Sequence, residues 1–162
     1  MTTSEGFAHP EYLVDAAWVD AHKDDANVVV IDCDVEAGYN RGHIPSAALV
    51  PDNFEKNPDT NRVHLMNAEQ FTTMGQGLGI GDDSLVITYD NGQSLTAARL
   101  WWALNTYGHS DVKVLDGGWR RWISEGRTVS FDRPKVASGV KFTAKSDESM
   151  MAKVDELKAA CD

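Results

Sequence analysis

The chain contains 162 residues, of which 42% are hydrophobic, enough for one ordinary globular domain but not for two of typical size. Its formal net charge of −10 opposes binding to nucleic acids or to anionic membrane surfaces, because their phosphates would be repelled. No stretch approaches the roughly 20 apolar residues that cross a bilayer, and the mainly polar start lacks a signal-peptide pattern. We therefore expect a soluble protein of the cytoplasm.

Short apolar runs rich in β-branched residues alternate with helical patterns, which is typical of βα units around a mostly parallel sheet. The predicted strands, which share this composition, are 12–14, 28–32, 47–50, 85–89 and 112–115. The predicted helices, which place apolar residues on one side, are 16–22, 67–74, 96–107 and 118–125. Residues 52–62 are polar and contain Pro58, so we expect a loop there. The sequence predicts an α/β fold in which a central, mostly parallel sheet is flanked by helices on both faces.

Cap signals mark the helix boundaries. Asn67 with Gln70 three positions on forms a capping-box pattern, and Gly75 is the expected stop of that helix. Gly108 and Gly126 are the expected stops of the two later helices.

The C-terminal part of the chain predicts a second unit. Residues 132–140 have little periodicity and contain proline and glycine, as linkers do. A predicted strand at 141–144 and a helix at 149–160 follow. The apolar residues on one face of this helix are Met150, Met151, Val154 and Leu157. We therefore divide the chain into an N-terminal tail at 1–11, a domain at 12–131, and a linker with the first strand and helix of a truncated second domain at 132–162.

Two motifs resemble the signatures of the rhodanese, or thiosulfate sulfurtransferase, family. The stretch YNRGHIPSA at 39–47 is similar to the first signature and contains His43 and Pro45, while Ser46 stands where the family has glycine. The stretch VKVLDGGWRRW at 112–122 is similar to the second. The second stretch contains Asp116, Gly117, Gly118 and Trp119, with Leu115 in place of an aromatic residue and Arg121 in place of Glu. The resemblance covers residues 12–127 and implies a rhodanese-like fold.

Ordinary structural roles also account for these motif residues. Pro45 fixes its own φ and favours extended geometry before the strand at 47–50. His43 has no companion ligand at metal-binding spacing, so we interpret it as a structural histidine bonded to backbone. Gly117 and Gly118 fit a tight strand-to-helix turn. The tryptophans of the two later helices are expected in the core.

The loop after the strand at 85–89 is the candidate site, because ligands of open parallel sheets lie beyond the carboxyl ends of the strands. Its residues are Asp90, Asn91, Gly92, Gln93, Ser94 and Leu95. The resemblance implies that active members carry a cysteine where Asp90 stands. Backbone N–H groups and a helix N-terminus would stabilise its thiolate and its persulfide. The resemblance further implies that N-terminal domains of tandem sulfurtransferases carry Asp here and are not catalytic.

Physical chemistry leaves a simpler role for Asp90 equally open: an anion near a helix start that satisfies loop N–H groups. The resemblance also implies a substrate-binding Arg after the first long strand, where catalytic domains often show Asp-Ala-Arg. This chain has Asp32-Cys33-Asp34 there, so an acid replaces the expected cation. Cys33 could be a displaced nucleophile, but its acidic neighbours would raise its pKa. The other cysteine, Cys161, is distant in sequence, so both are expected to be reduced.

Two rival functions remain. A phosphatase of the haloacid dehalogenase type would use Asp32 and Asp34 as nucleophile and acid with Mg²⁺. A catalytically inactive scaffold would instead bind a protein partner.

On the rhodanese interpretation no cofactor or metal is expected. The partners expected are the second rhodanese domain and, through the C-terminal helix, another copy of the chain, with no nucleic acid and no membrane.

Overall fold

A computed structural model describes residues 6–52, 54, 56–59, 65–152 and 154–160. Its strands are β1 Leu13–Val14, β2 Val28–Asp32, β3 Ala48–Leu49, β4 Leu85–Tyr89 and β5 Val112–Leu115. Its helices are α1 Ala16–His22, α2 Glu36–Tyr39, α3 Ala68–Gly77, α4 Leu95–Thr106, α5 Gly118–Ser124 and α6 Val154–Ala159. Short 3₁₀ turns cover Pro10–Tyr12 and Glu148–Met150.

The strands form one sheet in the order β1-β5-β4-β2-β3, and every described pair is parallel. Alternating side chains of the central strands point to opposite faces, as the pleat requires. Ile31 and Val86 lie in a core with α3 and α4, whereas Val30 and Ile87 lie in a second core with α1 and α5. The predicted sheet covered by helices on both faces is confirmed.

Several predicted boundaries move by one or two residues. The strand predicted at 12–14 begins one residue later as β1, because the chain before it turns through a 3₁₀ helix. The strand predicted at 47–50 is only β3, since Ala47 N–H bonds the carbonyl of Ile44 in a turn. The helices predicted at 96–107 and 118–125 are observed as α4 and α5. Helix α2 was not predicted, because four residues carry too little periodicity.

The helix α3 confirms its predicted start and corrects its predicted end. Asn67 and Gln70 form the capping box. Gly75 does not stop the helix, which continues to Gly77. A Cβ at Gly75 would lie 2.6 Å from Cδ1 of Phe142, so this glycine allows a close approach between the helix and a distant segment. The predicted loop at 52–62 contains turns at its described residues, and 53, 55 and 60–62 lie outside the described residues.

The C-terminal segment departs most from the prediction. Residues 141–144 form no strand. They lie against α3 and the end of α4, where Lys145 N–H bonds the carbonyl of Tyr107 and Ala144 N–H bonds Oγ1 of Thr72. Phe142 is 2% exposed in the core beside Phe71. The helix predicted at 149–160 is a 3₁₀ turn followed by α6. Leu157 and Met150 are exposed, and the side chain of Val154 lies outside the described residues.

Replacing Phe142 tests whether this segment is part of the same cooperative unit. We expect Phe142→Ala to lower the free energy of unfolding by about 3–5 kcal/mol, because it removes a buried aromatic ring and leaves a cavity. Phe131→Ala is the matched control, since this ring is 70% exposed and its loss should cost no more than about 0.5 kcal/mol. Urea unfolding of both variants measures the difference. Equal stabilities would show that residues after 140 do not contribute to the domain's stability.

Candidate functional site

The loop after β4 surrounds the carboxylate of Asp90, which is 4% exposed. Its Oδ1 accepts hydrogen bonds from the backbone N–H groups of Gly92 at 2.9 Å, Gln93 at 3.1 Å and Ser94 at 2.8 Å. Its Oδ2 accepts from Thr96 N–H at 3.1 Å, the Thr96 hydroxyl at 3.2 Å and Ala97 N–H at 3.2 Å. The loop and the first turn of α4 therefore form an anion-binding cradle, and this cradle holds the chain's own carboxylate.

The shape of this loop depends on backbone conformations that few residues adopt. Gly92 has a φ of +90°, and Ser94, which precedes α4, has a φ of +54°. These positive φ angles turn the successive N–H groups of the loop toward one point, as in other backbone nests that bind anions. Ser94 therefore carries backbone strain that a glycine would avoid.

The double glycine of the second motif packs directly against this loop. Gly117 and Gly118 have φ values of +77° and +51°, which confirms the predicted tight turn. A Cβ at Gly118 would lie 2.4 Å from the carbonyl oxygen of Asp90. That same carbonyl accepts the N–H of Trp119 at 2.8 Å. Besides making the turn, Gly118 thus lets α5 begin against the backbone of the loop, a role that the sequence did not reveal.

The carboxyl end of β2, beside that of β4, adds two more acids. Asp32 is 2% exposed. One of its oxygens accepts the Tyr89 hydroxyl at 2.6 Å and the other accepts Asp34 N–H at 2.8 Å. The Tyr89 hydroxyl in turn accepts Ile44 N–H at 3.1 Å. Burial is the main reason that the pKa of Asp32 rises to about 6. Burial also raises the pKa of Asp34, and the nearby Asp90 carboxylate adds to this rise.

Cys33 lies between these acids but points into the core. It is 3% exposed and is a free cysteine. Its pKa is raised well above the ordinary thiol value, first by burial and then by the charges of Asp32, Asp90 and Asp34. A thiolate is therefore disfavoured here, as its neighbours in the sequence indicated. Cys161 lies outside the described residues.

The first motif contacts the strand that precedes the loop, because Ile44 N–H donates to the hydroxyl of Tyr89. His43 is fully buried, and each of its two ring nitrogens lies within hydrogen-bond distance of a backbone carbonyl, as expected for a structural histidine. Ser46 has a φ of +68°, a conformation that suits the glycine found there in the resembling signature. The Tyr39 hydroxyl donates to the carbonyl of Ala47 at 2.8 Å, and burial raises the pKa of Tyr39 to about 12.

The structure brings most of the predicted site residues together. The 90–95 loop, Gly117, Gly118 and the acids after β2 meet at the carboxyl edge of the sheet. Asp116 lies at the outer side of this edge, where it pairs with Arg121. Tyr89 was missed, although its hydroxyl links Asp32 to the backbone of Ile44 in the first motif. A tyrosine ending a buried strand gives no sequence signal of which backbone it will bond.

The geometry does not favour the phosphatase alternative, because both oxygens of Asp32 are bonded within the protein and the group is buried. Among the described residues there is no cluster of three or more His, Cys, Asp or Glu side chains that could hold a metal ion. Within the same residues, no helix has the length and apolar character needed to span a membrane.

Comparison with known proteins points to one family. A sequence model described as "Rhodanese-like domain" matches residues 15–125. The sulfur carrier protein TtuD of Thermus thermophilus is 32% identical over 153 residues, which cover 94% of this chain and 53% of that protein. A thiosulfate sulfurtransferase of Corynebacterium glutamicum is 30% identical over 155 residues, with 94% and 51% covered. The chain spans about half the length of these curated relatives.

A solved structure gives the same result. The crystal structure of SseA from Escherichia coli, described with the mechanism of 3-mercaptopyruvate sulfotransferases, superposes with a TM-score of 0.81 at 26% sequence identity. The match covers 92% of this chain and 61% of that one.

Asp32 gives the pH dependence that tests the site's electrostatics. Its pKa in the folded chain, about 6, lies above the ordinary 3.8, so the folded chain binds this proton more tightly than the unfolded chain does. Tighter proton binding by the folded chain adds to the free energy of unfolding. This contribution of Asp32 is about 3 kcal/mol below about pH 4 and is lost as the pH rises through 6.

We expect Asp32→Asn to remove this fall in stability between about pH 4 and pH 7, measured by urea unfolding. The control is Asp83→Asn, because Asp83 is exposed and its loss should leave the pH profile unchanged. An Asp32→Asn profile parallel to that of the wild type would contradict the assignment.

Proposed function

This chain belongs to the rhodanese-like domain family, and from that premise we propose that it is the non-catalytic half of a tandem-domain sulfurtransferase. The observation that carries the proposal is the cradle of loop donors filled by the Asp90 carboxylate. We propose that Asp90 stands where active members of the family have their catalytic cysteine.

The cradle explains what a cysteine would do at this position and why an aspartate does not replace it. Converging N–H donors and the start of α4 would lower the pKa of a thiol and stabilise an anionic persulfide. The thiolate would attack the outer sulfur of thiosulfate, and sulfite would leave with the electrons of the broken S–S bond. A carboxylate oxygen is a poor nucleophile toward sulfur and cannot store it as a persulfide.

The charge at this edge also opposes binding of an anionic donor. A second anion about 4 Å from the Asp90 carboxylate would be disfavoured by up to about 4 kcal/mol at an effective dielectric constant of 20. Asp34 adds a further negative group beside Asp90. In the proposed parent enzyme, sulfane sulfur would therefore pass from thiosulfate or 3-mercaptopyruvate to cyanide or a thiol in the second domain.

The exposed apolar side chains around the site support a covering partner. Val35 follows the acids after β2 and is 67% exposed, and Leu95 begins α4 and is 74% exposed. Burying each would contribute about 1.5–3 kcal/mol. We propose that the second rhodanese domain covers this edge, since the relatives extend to about twice the length of this chain. The scaffold alternative differs in requiring an unrelated partner.

We also propose a reducing, cytoplasmic compartment, which suits the free Cys33.

Two experiments test the role of Asp90. The first attempts to load sulfur onto the wild-type chain, and the second places a cysteine at this position. We expect no persulfide on the wild-type chain after incubation with thiosulfate, measured as the absence of one added sulfur in the intact mass. In a Cys33→Ser, Cys161→Ser background, Asp90→Cys should have a thiol pKa below the ordinary value of about 8.5, because the donors remain. The pH dependence of its alkylation rate measures this pKa.

The matched control is Asp83→Cys in the same background, since Asp83 is exposed and its thiol should react as an ordinary one. A sulfur adduct on Cys33 of the wild type, or an Asp90→Cys thiol that titrates like the control, would refute the proposed role.

Self-association of this chain tests whether the C-terminal helix α6 is a partner-binding surface. With Met150 and Leu157 exposed, we expect the full chain to self-associate and Leu157→Asn to reduce this association. Light scattering at matched concentration measures it. Lys158→Asn, one residue further on, should behave as the wild type. Monomers in all three proteins would rule out pairing through α6.

A further inference from the structure

The loop that surrounds Asp90 contains the one Asn-Gly pair of the sequence, Asn91-Gly92. An asparagine followed by glycine is prone to deamidation, because the next backbone nitrogen can attack the side-chain amide and a glycine has no side chain to hinder the ring closure. Asn91 is exposed, so water reaches its amide group. The pair is therefore a chemically labile point within the anion-binding cradle.

The fold does not tolerate another residue in place of this glycine. Gly92 has a φ of +90°, a conformation that other residues rarely adopt. A Cβ at Gly92 would lie 3.0 Å from the carbonyl oxygen of Gly117 and 3.2 Å from the side chain of Arg120. The geometry of the cradle thus requires the residue that makes Asn91 labile.

Deamidation of Asn91 would proceed through a cyclic imide. The Gly92 nitrogen forms a bond to Cγ of Asn91, the bond between Cγ and Nδ2 breaks, and Nδ2 leaves as ammonia with the proton of Gly92 N–H. One water molecule then opens either carbonyl–nitrogen bond of the imide. One opening gives an aspartate, and the other gives an isoaspartate, whose backbone runs through Cγ and is longer by one atom.

The attacking nitrogen is already bonded in the folded chain. Gly92 N–H donates to Oδ1 of Asp90 at 2.9 Å, and hydrogen bonds to a carboxylate are stronger than those between neutral groups. Removing this proton would build negative charge on the nitrogen beside the carboxylate, which is unfavourable. Turning the nitrogen toward Cγ of Asn91 would break the same bond. Asn91 is also held from β2: burial raises the pKa of Asp34, and a hydrogen bond from the Asn91 backbone opposes this rise.

We propose that Asn91 is a deamidation site that the Asp90 carboxylate keeps closed, so that the reaction proceeds only when the loop opens. Either product adds a carboxylate beside Asp90, and the longer isoaspartate backbone displaces the N–H groups that converge on Oδ1. Opening followed by modification is therefore an irreversible loss of the cradle. This inference rests on the bond between Gly92 and Asp90 and not on the role proposed for Asp90 in the family.

Deamidation and hydrogen exchange at one nitrogen test the inference in the wild-type chain, because both require Gly92 N–H to leave Asp90. Peptide mapping by mass spectrometry measures deamidation of Asn91 at neutral pH in the folded chain and in the chain unfolded in urea. Nuclear magnetic resonance measures the protection of the Gly92 amide. We expect deamidation to be at least about tenfold slower in the folded chain. A slowing smaller than the protection of this amide would overturn the inference, because the reaction would then proceed with the bond to Asp90 intact.

Two variants separate this bond from general loosening of the loop. Asp90→Ala removes the acceptor of Gly92 N–H, so deamidation of Asn91 in the folded variant should be about tenfold faster than in the wild type. Thr96→Val is the matched control, because it removes the hydroxyl that donates to Oδ2 and leaves the bond between Gly92 and Oδ1 in place. This control should keep the wild-type rate.

Equal acceleration in both variants, or an unchanged rate in a folded Asp90→Ala, would overturn the inference. If Asp90→Ala does not fold, the comparison of deamidation with amide protection in the wild-type chain still decides the question.

Discussion

Five backbone N–H groups and one hydroxyl converge on the carboxylate of Asp90, and the edge of the sheet is arranged around this anion. Without it, the loop would leave buried donors unpaired, each costing about 1–3 kcal/mol. The positive φ angles of Gly92 and Ser94 are tolerated because they aim these donors at one point. The same geometry that would activate a thiol in this position makes the aspartate a structural anion.

Other parts of the fold are attached to this loop through backbone contacts. The close approach of Gly118 brings the start of α5 against the carbonyl of Asp90. Tyr89, the residue before Asp90, joins the buried Asp32 to the backbone of Ile44, which lies beside His43. The two motifs that resemble the family signatures are therefore supports of one loop, which explains why they remain recognisable in a chain whose loop holds a carboxylate.

Sequence reasoning succeeded where local physics decides the structure. The β-branched runs predicted β2, β4 and β5 because buried parallel strands need continuous apolar residues. The cap at Asn67 was also predictable, since its partner Gln70 lies only three residues away. Gly75 was misinterpreted as a helix stop because the reason for a glycine there is Phe142, 67 residues later, which no local pattern reveals. Tyr89 was missed for the same reason, because its partners, Asp32 and Ile44, are distant in sequence.

In the C-terminal segment around Phe142, the local apolar pattern predicts burial correctly but predicts the wrong secondary structure. The sequence around Phe142 has the apolar content of a strand, yet among the described residues it pairs with no strand of the sheet. Its backbone groups bond instead to the end of α4, to Thr72 and to the loop at Asp82, while its ring fills the core. The segment thus completes the domain before α6 begins. Residues 141–147 are therefore already part of the domain, and their backbone groups are not available to pair with another strand.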